Sequence, residues 1–536
     1  MRFVLTFCPS ASPTYVPLGI TSLFSYIRNN VPDCSINAVD LNIAVWNWII
    51  DQNEELHTFR NFMWYRQNGF FDETLYKLHL PFLKQIAGTI NGYIDMSRLY
   101  LEKGTLTPEL HLLLNFQSGL VMASDPEVIG FSIMYPNQVL MSLALAKFVS
   151  SLIAPSGSKG PMILLGGAMI SALRPEEILT ACPYVDAVYE GEGETGLGML
   201  CAGKGQEQIP GLVYRTEFGI HRNKKTETIS LSKLPLPDFS EMNLSLYLNP
   251  EPVVPMVFSR GCKWRKCRFC THNFSYSGYR SRNIIRFVDY LSHLSCERGV
   301  RHFYFADQYV DAPDMKMLAD EILNRGLKLY FHLMGRPTSD YTPEVLQTLY
   351  KSGCRWISWG IESGSQRLLE ICQKGTTVDT IRSLTRNSHQ AGISNLYMMI
   401  FGLPTGRDAD FKATLDLLDD MDEFVDDVKC SSFQLFDKTS FASGAKNYGL
   451  NITGREILLT TEHGSVGSNR LFYEVRAEDG TWCDPRGSME IAQLQRRKLW
   501  AGEPSIYKHL SCEHYLLYAS HRSVSFNDQS VGDIST

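Results

Sequence analysis

The chain has 536 residues, too many for a single module when a domain takes about 100–200 residues. With 44% hydrophobic and 20% charged residues it has the composition of a globular protein, which excludes a largely disordered one. Its 51 Lys and Arg against 57 Asp and Glu give a formal charge of −6, which excludes a global field for nucleic acid or an anionic membrane and makes any basic site local.

Phe3–Phe7 reads as a first strand and not as a secretory leader, because only Arg2 precedes it and the apolar run is too short. A helical Leu18–Arg28 and a strand-like Ser35–Asp40 complete a βαβ opening. Trp46 to Ala123 carries aromatic and Leu residues at helical spacing and predicts a helical insertion (46–123). The alternation resumes with Val128–Ser132, a helical Val139–Leu152, Met162–Gly167, a short helix Pro175–Ala181 and Val185–Glu190. That order predicts an α/β, doubly wound, Rossmann-like domain over 1–205. Ile209–Arg215 and Ile220–Arg222 flank Gly219 as a hairpin, and Leu234-Pro235-Leu236-Pro237 forces an extended linker, so 206–250 is the boundary region.

From Val253 a second series begins: Val253–Ser259, His302–Phe305, Leu329–His332, Trp356–Gly360, Asn395–Phe401 and Val428–Leu435, with helical stretches between them. Six such units predict a partial (β/α)6 barrel over 251–435. A mixed segment, 436–536, follows and ends in a polar tail, 523–536. The longest apolar stretch, Leu396–Leu403, is far short of the roughly 18–20 residues of a membrane span. The 13 cysteines, odd in number and mostly scattered, suit a reducing compartment, so the expected location is cytoplasmic.

The sharpest signal is Cys262, Cys267 and Cys270, spaced C-x4-C-x2-C in the loop after the first barrel strand. Zinc with His272 as fourth ligand is one reading. A 4Fe-4S cluster with one iron left open for a small molecule's amine and carboxylate is the other. Cys354, Cys372 and Cys430 lie in strand or helix patterns and read as buried apolar groups. Between Arg260 and Arg286 stand eight Lys or Arg and no Asp or Glu, which read either as cations stabilising a reduced cluster or as a solvated face.

The cysteine loop, with Phe269 before its last cysteine, resembles that of the radical SAM superfamily, although the first spacing holds four residues where three are commonest. Phe303-Tyr304-Phe305-Ala306-Asp307, Gly360-Ile361-Glu362-Ser363 and Ile400-Phe401-Gly402-Leu403-Pro404 follow at strand ends in that superfamily's order. The resemblance implies S-adenosylmethionine (SAM) contacts: Asp307 on the amino group, Glu362 and Ser363 on ribose or methionine, Phe269 beside adenine. Against these stand a helix cap for Asp307 and, for the carboxylate of Glu362, a partner that is either the cofactor or Arg336. Gly402 and Pro404 read as turn formers.

Ahead of the barrel, Pro17-Leu18-Gly19, Gly130-Phe131-Ser132, Leu165-Gly166-Gly167 and Glu190-Gly191-Glu192 fall at strand ends, where open α/β sheets bind ligands. Together with the barrel they resemble the class of radical SAM enzymes that carries a cobalamin-binding domain. That resemblance implies cobalamin near Ser132, Gly166 and Gly167, and the missing Asp-x-His-x-x-Gly pattern leaves no histidine for its lower face. The alternative is a domain that keeps the fold and binds nothing. The class implies a cobalamin-dependent methyltransferase acting on an unactivated carbon of a small-molecule or peptide substrate. It also implies a reductase or a flavodoxin- or ferredoxin-type electron donor; the acidic charge balance and the short apolar stretches make the expected partners neither nucleic acid nor membrane. A radical rearrangement or cyclisation, or a non-catalytic cobalamin or redox sensor, is the alternative. The sequence identifies no residue acting directly on substrate.

Overall fold

The computed structural model describes the chain except residues 154–159, 225–227, 277, 478, 497–509 and 532–536. Two compact units emerge, one of Met1–Phe70, Leu78–Pro250 and Arg455–Asn469, the other of Phe71–Lys77, Glu251–Gly454 and Arg470–Thr536.

The first unit is built on a seven-stranded sheet of β1 (Arg2–Phe7), β2 (Ser35–Asp40), β3 (Val128–Ser132), β4 (Met162–Gly166), β5 (Ala187–Tyr189), β6 (Leu212–Thr216) and β7 (Gly219–Arg222). The spatial order is β2-β1-β3-β4-β5-β6-β7, parallel from β2 to β5. Phe3, Val4 and Leu5 are all buried, as both faces of a covered parallel strand must be. Chain direction across the sheet reverses between β1 and β3, so the carboxyl ends of these two strands frame the crevice where doubly wound sheets bind ligands. The hairpin β6–β7 is not a separate linker element: it extends this sheet antiparallel to β5. The insertion is helical, with Leu41–Asp51, Glu54–Trp64, Glu73–Lys103 and Pro108–Met122. Asp40 caps the first of these through Ile43 N, and Thr107 caps the last ahead of Pro108, which needs no amide partner there.

The second unit holds a six-stranded parallel sheet of β8 (Val253–Met256), β11 (His302–Phe305), β12 (Tyr330–Gly335), β13 (Cys354–Glu362), β14 (Ser394–Phe401) and β15 (Asp427–Ser432). Between β8 and β11 lies the short ribbon β9 (Ser259–Arg260) and β10 (Arg280–Ser281). Consecutive long strands are always neighbours, so the direction never reverses, the crossover helices share one face, and the sheet curls as a partial barrel. Contacts identify the faces. Phe287 of helix Ile284–Arg298 packs on Phe305, Thr385 of helix Val378–Gln390 bonds Tyr397, and Phe411 of helix Asp408–Met421 packs on Phe401.

On the opposite, inner face Tyr304, His332 and Trp356 stack in sequence, with centroids 4.4 and 4.0 Å apart. The C-terminal helix Cys512–Val531 lies against this inner face: Tyr515 stands 4.3 Å from Trp356, and Ser520 bonds His302 at 2.9 Å. The tail expected to fray from Ser523 therefore continues as helix to Val531, anchored by the buried turn before it. Its last residues, 532–536, lie outside the described residues. The mixed segment also contains two long strands, Leu450–Thr461 and Gly464–Arg476. Cys354 and Cys372 are buried as expected, but Cys430 is exposed, because β15 is the edge of its sheet.

Candidate functional site

The cysteine loop leaves β8 through the ribbon β9–β10, which pins its two ends together. Gly261 has φ +85, and a Cβ there would come within 2.1 Å of the Gly278 carbonyl oxygen, so only glycine lets the loop start this close to its own return strand. Asp307, two residues beyond β11, is fully buried. Its carboxylate accepts from the amides of Phe258 and Ser259 and, at 2.6 Å, from the Ser259 hydroxyl. Burial pushes its pKa up to about 6, opposed by these hydrogen bonds and by the charge of Arg282. Asp307 is thus neither a helix cap, since Asp311 occupies that position before Ala312–Asn324, nor a free carboxylate: it ties down the entry to the cysteine loop. Gln308 accepts from the Gly261 amide in the same place.

The other side of the loop docks on the turn after helix Gln366–Ile371. Arg268 N donates to the Cys372 carbonyl at 3.0 Å, Arg268 Nη1 to the Ile371 carbonyl at 2.6 Å, and Trp264 Nε1 to the Gln373 carbonyl at 2.7 Å. Gly375 has φ +71 and lies under the Trp264 ring, where a Cβ would stand 2.2 Å from the indole. Between these anchors the three thiols are half-buried and close enough for their charges to act on one another. Burial, with the neighbouring Cys270, Glu362 and Cys262, pushes the Cys267 thiol up to about 11 against the lowering effect of Lys374. Burial likewise raises Cys270. Crowded thiols of this kind give up their protons to a cationic centre more readily than to water.

Lys374, unremarked in the sequence, completes the site. It is buried and its ammonium meets Glu362 Oε1 at 2.7 Å, with Phe269 5.9 Å away. Burial alone would lower the ammonium, but Glu362 and the thiols of Cys267 and Cys270 hold it above its ordinary value. Glu362 itself sits at φ +67, at an irregularity in the β13–β14 register. The partner of Glu362 is therefore Lys374 and not Arg336, whose guanidinium lies 4.4 Å over Trp264 and donates to the Gly375 carbonyl. Ser363 turns away: its hydroxyl meets Thr414 at 3.2 Å and accepts from Ser365 N. A Lys followed by Gly in a loop carries no periodic signal that would mark Lys374 in the sequence.

Among the described residues no three His, Cys, Asp or Glu side chains close on a single metal ion, His272 included. A cubane cluster has no such need, because each thiolate binds a different iron. The donor set, three thiols on one pinned loop beside a buried ammonium, fits that group.

In the first unit, Ser132 ends β3, and Gly19 approaches it so closely that a Cβ would lie 3.0 Å from its hydroxyl. Gly167 has φ +101 and packs on the Ile133 backbone, 2.4 Å from where its Cβ would be. Gly166 is different. A Cβ there would meet only Tyr189, at 4.0 Å, so the strand end is open. Met134 and Tyr135, just beyond Ser132, are exposed apolar side chains on the same rim. An open glycine edge with an apolar rim at the switch point fits a large flat cofactor.

Residues 256–418 match the Radical SAM superfamily. Over 313 residues the chain is 24% identical to an uncharacterized methyltransferase of Pyrococcus horikoshii, covering 56% of this chain and 66% of that protein. Among solved structures, it resembles the cobalamin-dependent SAM radical enzyme OxsB with aqua-cobalamin and SAM bound. There the TM-score is 0.63 at 17% identity, over 92% of this chain and 66% of OxsB. It also resembles the radical SAM methyltransferase TsrM of Kitasatospora setae, with a TM-score of 0.60 at 14% identity, over 95% and 89%. The chain spans about two thirds of the length of the first two. The match to the radical SAM family thus falls on the barrel, and the fold of the chain is shared with these two structures.

Proposed function

We propose that this chain is a radical SAM enzyme that cleaves SAM reductively at a 4Fe-4S cluster on Cys262, Cys267 and Cys270, and that it is a cobalamin-dependent methyltransferase acting on an unactivated carbon. The observation that carries the reading is the three-thiol loop clamped between Asp307 and the Gln373–Gly375 turn, with the Glu362–Lys374 pair beside it. When bound, the cluster and SAM supply a 5′-deoxyadenosyl radical and cobalamin carries the methyl group.

The protein's part is to hold and orient. Asp307 fixes the backbone at 258–259 and so aims the loop; in this reading it serves SAM through position and not through a direct ion pair. Glu362 and Lys374 offer a carboxylate and an ammonium side by side, the charge complement of the ammonium and carboxylate of the methionine moiety. Phe269 supplies an aromatic face toward adenine. Ser363 reaches ribose only through its backbone, since its hydroxyl is spent on Thr414. In the first unit Ser132, Gly166 and Gly167 form the cobalamin edge, and one-electron reduction comes from a reductase or a flavodoxin- or ferredoxin-type donor. Among the described residues no helix is long and apolar enough to cross a membrane. The substrate is a small molecule or a peptide, and the setting is the cytoplasm.

The test is anaerobic reconstitution with iron, sulfide, SAM and cobalamin, followed by mass spectrometry. 5′-Deoxyadenosine is expected, joined by S-adenosylhomocysteine when a methyl acceptor is present. Deoxyadenosine without S-adenosylhomocysteine on any turned-over substrate assigns a rearrangement or cyclisation instead. Neither product from an iron-loaded protein assigns a sensor.

A further inference from the structure

The chain is acidic overall, yet the loop that carries the three cysteines presents cations to solvent. Lys263, Arg265 and Lys266 are exposed, with Arg268 and Arg336 half-buried beside them. Lys263 is neutralised by Asp311 at 2.6 Å and Asp314 at 3.3 Å. The other four form no ion pair among the described residues, and each has a carbonyl or a ring among its partners. Arg265 donates to the Asn273 carbonyl, Lys266 lies 4.7 Å over Trp264 and Arg336 4.4 Å over the same ring. Arg268 holds the Ile371 carbonyl and stands 5.4 Å over Tyr448. Four cations without an ion-pair partner are thus carried on and beside the cysteine loop, two of them, Lys266 and Arg336, over one partly exposed indole that is itself fixed by Gln373 and Gly375.

Cations that no carboxylate pairs repel one another and attract a polyanion. Its position says which. Trp264 lies between Cys262 and Cys267, so whatever seats on this patch sits against the loop that holds the redox centre. A nucleic acid gains nothing from that seat, whereas an electron donor must occupy it. The aromatic ring here is stacked by cations and not presented as a base platform.

Resting on the radical SAM reading above, we propose that Arg265, Lys266 and Arg268 of the cysteine loop, with Arg336 beside its Trp264, form the docking surface for an acidic one-electron donor protein of the flavodoxin or ferredoxin class. In the encounter one electron passes from the donor's reduced flavin or iron–sulfur centre to the cluster, the donor being oxidised and the cluster reduced by one electron, with no proton moved. Opposite charge at this edge speeds association and makes it salt-dependent.

Stopped-flow reduction of the reconstituted holoenzyme by an acidic bacterial flavodoxin hydroquinone, compared with reduction by dithionite, tests it. The wild-type flavodoxin rate is expected to fall about tenfold or more between low and high salt. Arg265→Glu/Lys266→Glu is expected to lose about tenfold at low salt and most of the salt dependence, while dithionite reduction and iron content stay within twofold of wild type. Lys266→Gln gives the same trend at smaller amplitude should the double reversal impair loading. Lys204→Glu, an exposed site on the first unit, keeps the wild-type flavodoxin rate. Flavodoxin reduction that is indifferent to salt and to the double variant overturns the docking surface. So does tight binding of a 20-nucleotide RNA that is abolished by the variant while flavodoxin reduction is unaffected. A wild-type protein that takes up no iron fails the radical SAM reading itself, a result told apart from the others by dithionite alone.

Discussion

The cysteine loop and the carboxyl edge of the first sheet, the proposed cluster and cobalamin sites, both lie at strand ends, yet they are built on opposite principles. Around the loop nearly every feature is a named side chain doing one job: Asp307 on the 258–259 backbone, Trp264 on Gln373, Lys374 on Glu362. At the sheet edge the features are missing side chains and open surface: the bare Gly166, Gly167 packed on the Ile133 backbone, the exposed Met134 and Tyr135. A covalently ligated charged centre needs fixed donors, while a large cofactor held by shape needs room. The first site should therefore fail when a side chain is removed, and the second when one is added.

The largest effect is expected at the ligands. Alanine at Cys262, Cys267 or Cys270 should abolish SAM cleavage and strip the iron and its visible absorbance, while far-ultraviolet circular dichroism stays that of the wild type. A triple variant with wild-type iron would remove the basis of the contrast. Next comes Lys374→Met, which leaves Glu362 buried beside an apolar chain. Breaking a buried pair from one side costs about 3–5 kcal/mol, read as a shift in denaturant midpoint, and adding Glu362→Leu should recover most of it.

His332 makes the barrel's dependence on particular side chains visible through pH. It is fully buried in the inner aromatic stack, and burial lowers it to about 3, so it is neutral in the fold. A histidine depressed in the folded state contributes stability that is complete above pH 6.5 and lost as pH falls toward 3. Between pH 6.5 and 5 the wild type should lose about 2 kcal/mol that His332→Gln does not lose, measured by chemical denaturation at each pH.

The smallest effect sharpens the other half of the comparison. Gly166→Val adds a side chain where only Tyr189 lies within reach, so the fold should be nearly unchanged while cobalamin retained through desalting falls about tenfold, about 1.4 kcal/mol. Full retention by this variant would move cobalamin away from the edge, and loss of fold would mean the edge is not open.

What was legible in the chain follows the same division. Strand positions came through because parallel strands are apolar runs bounded by turns: Val128–Ser132 and His302–Phe305 fall where the pattern places them. The three cysteines stand out because their spacing is local. What stayed hidden depends on partners remote in sequence. Nothing near Asp307 reveals that its oxygens belong to residues 258–259, and Lys374 is an ordinary lysine until a register irregularity at Glu362 turns a carboxylate toward it. The C-terminal helix was hidden for another reason. Its polar end resembles a frayed tail, whereas the buried turn before it, Tyr515 on Trp356 and Ser520 on His302, is what carries it onto the inner face.

The central claim is that the pinned cysteine loop is the site of reductive SAM cleavage, and one measurement bears on it most directly: 5′-deoxyadenosine formed per protein by the anaerobically reconstituted chain with SAM and dithionite, in wild type and in Cys267→Ala. Deoxyadenosine from the wild type and none from the variant is the predicted result. Equal amounts from both, or none from a wild type loaded with iron and sulfide, would contradict it.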